Sequence, residues 1–216
     1  MPLVLFDLDN TLIDRAASFR RWATRFTEAH FLGPEEVAWL VATDEDGFAD
    51  RRSFMTAVQQ RYALPGSLDG LLVDYRAAIV AAVEIDPVVP AALESLRSAG
   101  WRIAIATNGG AGQQAAKIRQ VGLDRHVDAV AISGELGAAK PDRRLFEAAA
   151  ERCGAGLSPD SWMVGDSPDR DIAGAQQLGL KTIWMRRGRE WGRTAAPPTS
   201  AVDDIPAAAR ILLGGL

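Results

Sequence analysis

Short apolar runs alternate with stretches of helical periodicity along most of this chain. Leu3 to Leu8, Trp101 to Ala106, Val127 to Ile132, Trp162 to Val164 and Lys181 to Met185 are each brief and apolar. That is the pattern of parallel strands buried on both faces. Between them, Ala92, Leu93, Leu96 and Ala99, and later Ala115, Ile118 and Val121, recur at helical spacing. Gly100, Gly122 and Gly179 each end a helical stretch just before a strand. Glycine takes the left-handed conformation there without steric cost. Helix, glycine and strand in repetition predict an α/β fold, a doubly wound parallel sheet.

One region departs from this rhythm. From Arg15 to Asp86 there is no strand pattern. Phe19 to Phe31 and Leu68 to Val83 read as helices, with Pro34, Pro65 and Pro87 as punctuation. A parallel crossover usually needs only one helix, so residues 15–86 are expected to form an inserted α-helical subdomain. Residues 1–14 and 87–216 are left as the core. Ala195 to Ser200 is expected to be a loop before a last helix starting near Pro206.

Four polar signals fall at the carboxyl ends of the expected strands. They are Asp7-Leu8-Asp9-Asn10-Thr11, Thr107-Asn108, Lys140-Pro141, and the run from Gly165 through Asp166 to Asp171. In open α/β sheets ligands bind in the crevice outside those ends. Asp7, Asp9 and Asp166 would gather three negative charges, which is costly unless a cation neutralises them. An oxygen-only set without His or Cys selects a hard ion, and Mg²⁺ is the best match. Lys140 offers a fixed positive charge and Thr107 a hydroxyl, both suited to phosphate oxygens. Asn108, Gly109 and Gly110 would let backbone N–H groups approach the same phosphate at a helix start. Such a set suits phosphoryl transfer.

Composition narrows the field. The chain has 216 residues, 48% of them hydrophobic and 24% charged, with a formal net charge of -4. This is globular composition, and the charge argues against a nucleic-acid polymer or an anionic membrane as partner. No run approaches the roughly 18 apolar residues of a membrane helix, and the apolar N-terminus is too short for a signal core. Cys153 stands alone, so no internal disulfide can form and a cytoplasmic location is expected. His30 and His126 are far apart without a nearby cysteine, which argues against zinc. No Walker-type phosphate loop occurs, and Gly109-Gly110-x-Gly112 has the wrong spacing for a dinucleotide fingerprint. Arg15, Arg20, Arg21, Arg51 and Arg52, with Trp22, Trp39 and Phe48, are read as solvated faces and core aromatics of the inserted helices. Asp14 and Asp169 are read as helix caps or surface acids.

All of these motifs, in this order, resemble the haloacid dehalogenase superfamily. The resemblance is to its small phosphatases with a helical cap inserted after the first motif, and it covers nearly the whole chain. It implies a Rossmann-like core and Mg²⁺-dependent hydrolysis of a small phosphorylated metabolite, such as a sugar phosphate, phosphoglycolate or a nucleotide monophosphate. By that resemblance Asp7 is the nucleophile, forms an aspartyl-phosphate and binds Mg²⁺ through its other oxygen. Asp9 is the general acid and base, and its backbone carbonyl also ligates the metal. Asp166 completes the protein ligands, Asp171 supports the metal shell or orients Lys140, and Thr107 and Lys140 hold the phosphate. Dehalogenase members lack an acid at the position of Asp9. A phosphomutase with the same nucleophile is the alternative within the family. A phospho-accepting receiver-like module is the alternative outside it, though its residue order differs. The cap is expected to move about hinges near residues 14–17 and 86–90, and the protein is expected to be a monomer or homodimer.

Overall fold

The computed structural model describes residues 1–192 and 196–214. Among these, six strands form one sheet: β1 (Leu3–Phe6), β2 (Arg102–Thr107), β3 (Ala129–Ile132), β4 (Trp162–Gly165), β5 (Lys181–Met185) and β6 (Ser200–Val202). Their order is β3-β2-β1-β4-β5-β6, and each neighbouring pair is parallel. The first strand in sequence therefore lies in the interior of the sheet. Leu5 pairs with Ala104 on one side and with Met163 on the other.

Ten α-helices are described. Four fall together: α1 (Arg15–Ala29), α2 (Glu35–Asp44), α3 (Arg51–Tyr62) and α4 (Leu68–Ala81). The others are α5 (Val88–Ser98), α6 (Ala111–Gln120), α7 (Ser133–Leu136), α8 (Arg143–Arg152), α9 (Gly174–Gln177) and α10 (Ile205–Leu212). Gly100, Gly122 and Gly179 have φ of 83°, 70° and 73°, the left-handed turn expected between helix and strand. No helix among the described residues is long and apolar enough to cross a membrane.

The chain divides into two compact units, Met1–Ile13 with Ile85–Leu216, and Asp14–Glu84. In the first, alternate residues of the central strands bury one face against α8. Leu3, Leu5, Ala104, Ala106 and Met163 share a core with Leu145, Phe146 and Ala149. In the second, Phe19, Trp22, Phe54 and Tyr75 pack together, with the Trp22 and Tyr75 rings 4.8 Å apart and nearly perpendicular. Arg15, Arg21 and Arg51 each have a partner within that unit. Arg15 and Arg51 reach the buried Asp44 carboxylate at 2.7 and 2.6 Å, and Arg21 donates to the Ala82 carbonyl at 2.9 Å. Asp14 caps α1 by accepting from the Ala17 N–H.

The expected loop before the last helix holds at residues 196–199 but ends one residue earlier than expected. Ala195 lies outside the described residues, but Ser200–Val202 is a sixth strand that pairs with Ile183 to Met185. Three residues are too few to show a strand period, and the neighbouring edge of β5 supplies the order that local sequence cannot.

Candidate active site

The site is built where β1 ends. The Asp7 N–H donates to the Val164 carbonyl at 2.9 Å, which carries the sheet ladder one residue past the strand. The chain then turns tightly, with the N–H groups of Leu12 and Ile13 converging on the Leu8 carbonyl at 3.0 and 3.1 Å. Asn10 takes φ of 63°, a conformation asparagine tolerates better than most residues. The turn brings the Thr11 hydroxyl to 3.3 Å from Asp7 Oδ2.

Asp7, Lys140 and Asp171 form a buried ionic cluster. Lys140 Nζ lies 2.5 Å from Asp7 Oδ1 and 2.8 Å from Asp171 Oδ1, with Lys140 and Asp171 only 4% and 1% exposed. Asp7, Asp166 and Asp171 each present a carboxylate oxygen within 4.8 Å of the others. Burial pushes the Asp7 pKa up to about 7; Lys140 opposes the shift, and Asp171 and Asp166 add to it. Burial also lifts Asp166 to about 6, helped by Asp171 and opposed by Arg187 and Arg189. Burial disfavours the Lys140 ammonium, but Asp171 and Asp7 outweigh it and raise its pKa.

Asp166 is gripped from outside the cluster. Its Oδ2 accepts from Arg187 at 3.1 Å and Arg189 at 3.3 Å, and its backbone carbonyl accepts from Trp184 Nε1 at 3.0 Å. Asp171 is seated by the Ser167 N–H at 2.9 Å. It needs Gly165 as well, because a Cβ there would collide with the Asp171 carboxylate.

Three buried or half-buried carboxylates with oxygen donors only, two of them with raised pKa values, suit a hard divalent cation. The linkage has a definite sign. Asp7 and Asp166 titrate higher in the fold than their ordinary 3.8. Their contribution to stability is full below about pH 4 and is lost as pH rises through 6 and 7. An ion replacing those protons should therefore stabilise most above pH 7. At about 100 times its Kd, Mg²⁺ should add roughly 2.7 kcal/mol at pH 8, a Tm rise of about 5–10 °C for a chain of this size. Calorimetry should show a much smaller rise at pH 5, and equal rises would mean that the ion does not compete with these protons.

The remaining candidates lie on neighbouring strand ends. Thr107 closes β2 and is buried. The Asn108 side chain is committed to the Lys140 backbone: Nδ2 donates to the Lys140 carbonyl at 3.0 Å, and Oδ1 accepts from the Lys140 N–H at 2.8 Å. This amide ties two loops together. The Gly109 N–H is taken by Ser133 Oγ at 2.9 Å, and a Cβ at Gly134 would lie 2.7 Å from the Gly109 carbonyl oxygen. The start of α7 thus buttresses the loop, a contribution that Ser133 and Gly134 do not announce in sequence.

The Asp9 carboxylate is tied to α6. Both of its oxygens lie 2.8 Å from Lys117 Nζ, and Oδ2 also accepts from Gln114 Nε2 at 2.9 Å. Gln114 Nε2 reaches Thr107 Oγ1 at 2.8 Å as well. Neither residue stood out in the sequence. The signal that could have found them is their place beside Ile118 on the buried stripe of α6, where polar side chains need partners.

The chain belongs to the haloacid dehalogenase-like hydrolase family, whose model matches residues 1–179. It is 38% identical over 120 residues to the phosphoserine phosphatase of Thermus thermophilus. That match covers 55% of this chain and 47% of the relative, so the chain matches about half the length of that enzyme. It is 31% identical over 222 residues to the ribulose-1,5-bisphosphate 5-phosphatase of Halopiger xanaduensis, covering 93% of this chain and 91% of the relative. Among solved structures, the magnesium-bound HAD hydrolase YfnB of Bacillus subtilis superposes with a TM-score of 0.82 at 23% identity, over 98% of each chain. That likeness shows the same fold.

Proposed function

We propose that this protein is a Mg²⁺-dependent phosphatase of small phosphorylated metabolites that carries the phosphoryl group on Asp7. The observation that carries the assignment is the buried Asp7–Lys140–Asp171 cluster, with Asp166 close enough to share a cation. The named activities of the two relatives support the substrate class, a sugar phosphate, phosphoglycolate or nucleotide monophosphate being representative.

An Asp7 oxygen attacks phosphorus, and the bond from phosphorus to the ester oxygen breaks. Asp9 gives a proton to the departing alkoxide. As a carboxylate it then takes a proton from the water that attacks the phosphorus of the phosphoaspartate, which regenerates Asp7 and releases inorganic phosphate. Lys140 and Thr107 hold the phosphate oxygens, and the ammonium offsets charge that grows on them. Asp7, Asp166 and the Asp9 carbonyl would hold Mg²⁺, which supplies further positive charge for the phosphate when bound. Asp171 keeps Lys140 in place.

Folded protein with Mg²⁺ should release inorganic phosphate from an aryl phosphate, and chelation should stop it. Asp9→Asn should lower kcat/KM for an alkyl phosphate by about 10²–10⁴. The loss should be much smaller for nitrophenyl phosphate, whose leaving group needs no proton. Absence of phosphate release across a broad panel of phosphate esters would overturn the assignment.

A further inference from the structure

We infer that Lys117 and Gln114 are positioning residues that fix the Asp9 carboxylate for the second half of the reaction, an inference that rests on the phosphatase assignment above. Both are 4% exposed or less on α6. Burying an ammonium and an amide is costly unless each is fully engaged. Lys117 is engaged by the Asp9 carboxylate at 2.8 Å to each oxygen, and Gln114 by Asp9, Thr107 and the Asn108 carbonyl. The ammonium bridges both carboxylate oxygens and the amide holds one of them, so the two set the plane of a side chain that is still 23% exposed. This is the pose of a carboxylate, the form that must take a proton from water when the Asp7–phosphorus bond breaks.

Gln114 does a second thing. A threonine hydroxyl carries one proton. Because Thr107 Oγ1 accepts from Gln114 at 2.8 Å, that proton points elsewhere, and its intramolecular alternative, the Asn108 carbonyl, is long at 3.4 Å. The hydroxyl is thereby left to donate to a phosphate oxygen. One amide sets both the base after β1 and the phosphate-binding hydroxyl at the end of β2. Gly109 makes room for it: its φ is 145°, and a Cβ there would lie 2.9 Å from Gln114 Cγ.

The test is steady-state and rapid-mixing kinetics of the Mg²⁺-loaded full chain with nitrophenyl phosphate, with circular dichroism to confirm folding. If Lys117 positions the base, Lys117→Gln slows hydrolysis of the phosphoenzyme but not its formation. Both kcat and KM should fall about 10–100-fold together, less than the roughly 10²–10⁴ of losing the acid–base group outright because the base itself remains, with kcat/KM nearly unchanged and a nitrophenol burst of one equivalent. Lys117→Arg should recover most of kcat. Gln114→Leu, which removes no charge, gives the independent measurement: the same burst, with a fall in kcat/KM because Thr107 loses its orientation. A fall in kcat at constant KM without a burst, or no change in either variant, overturns the inference. Asp9→Asn separates the levels. If it gives the burst and the Lys117 and Gln114 variants do not, only the positioning role fails. If the parent protein releases no phosphate, the phosphatase assignment itself fails.

Discussion

Asp7→Asn should reduce turnover by about 10⁴–10⁶-fold, the scale on which removing a nucleophile is felt, while the protein stays folded. The amide occupies the same volume but cannot attack phosphorus. Retention of the fold follows from the electrostatics. Asp7 carries a carboxylate whose pKa burial lifts to about 7, with Asp171 and Asp166 adding to the shift. A neutral side chain removes that repulsion, and Lys140 keeps Asp171 as partner at 2.8 Å. Thermal melts at pH 8 should therefore show little loss of stability, and phosphate release should fall to background. Substantial remaining turnover in a homogeneous preparation would place the nucleophile elsewhere.

Lys140→Met should produce the largest change in stability. Its ammonium, almost wholly buried, lies between Asp7 and Asp171. Without it two buried carboxylates face each other with no cation, and breaking such an arrangement typically costs about 3–5 kcal/mol. The sign with pH is again definite. With Lys140 in place burial already lifts the Asp7 pKa to about 7, and losing the lysine pushes it higher still, so Asp7 is protonated at pH 5 in either protein; the loss should be greatest near pH 8 without divalent ions and should shrink at pH 5. Added Mg²⁺ should restore part of it by supplying positive charge to the same carboxylates. Denaturant titrations at the two pH values, with and without the ion, measure this. A loss independent of pH would mean that packing of the lysine stem, rather than its charge, is what the cluster needs.

The sheet was legible because its strands are short apolar runs, each met by a polar turn or a glycine. Lys181–Met185 matches its expected limits, and the other four expected strands differ by one or two residues at their ends. Buried parallel strands have few alternatives to that pattern. The strand at Ser200–Val202 was not legible, because its pairing with β5 is a tertiary fact. The acidic positions of the site were legible as residues at strand ends. Their partners were harder to see. The reciprocal Asn108–Lys140 bonds, the Arg187 and Arg189 grip on Asp166, and the Lys117–Asp9 pair join residues 21 to 108 positions apart. No local spacing encodes such pairs. A polar residue on the apolar stripe of a helix is the nearest thing to a sign, and it says that a partner exists without saying which.

The place of β1 in the sheet also bears on how the protein is made. Leu3–Phe6 leaves the ribosome before either of its neighbours, and it must wait for Arg102–Thr107 and then for Trp162–Gly165 to flank it. Pairings so distant along the chain form slowly, and during synthesis an unpaired apolar strand is a site for aggregation. A nascent chain arrested before residue 162 would hold Asp7 but lack one wall of its strand. Such a chain should be inactive and a client for chaperones.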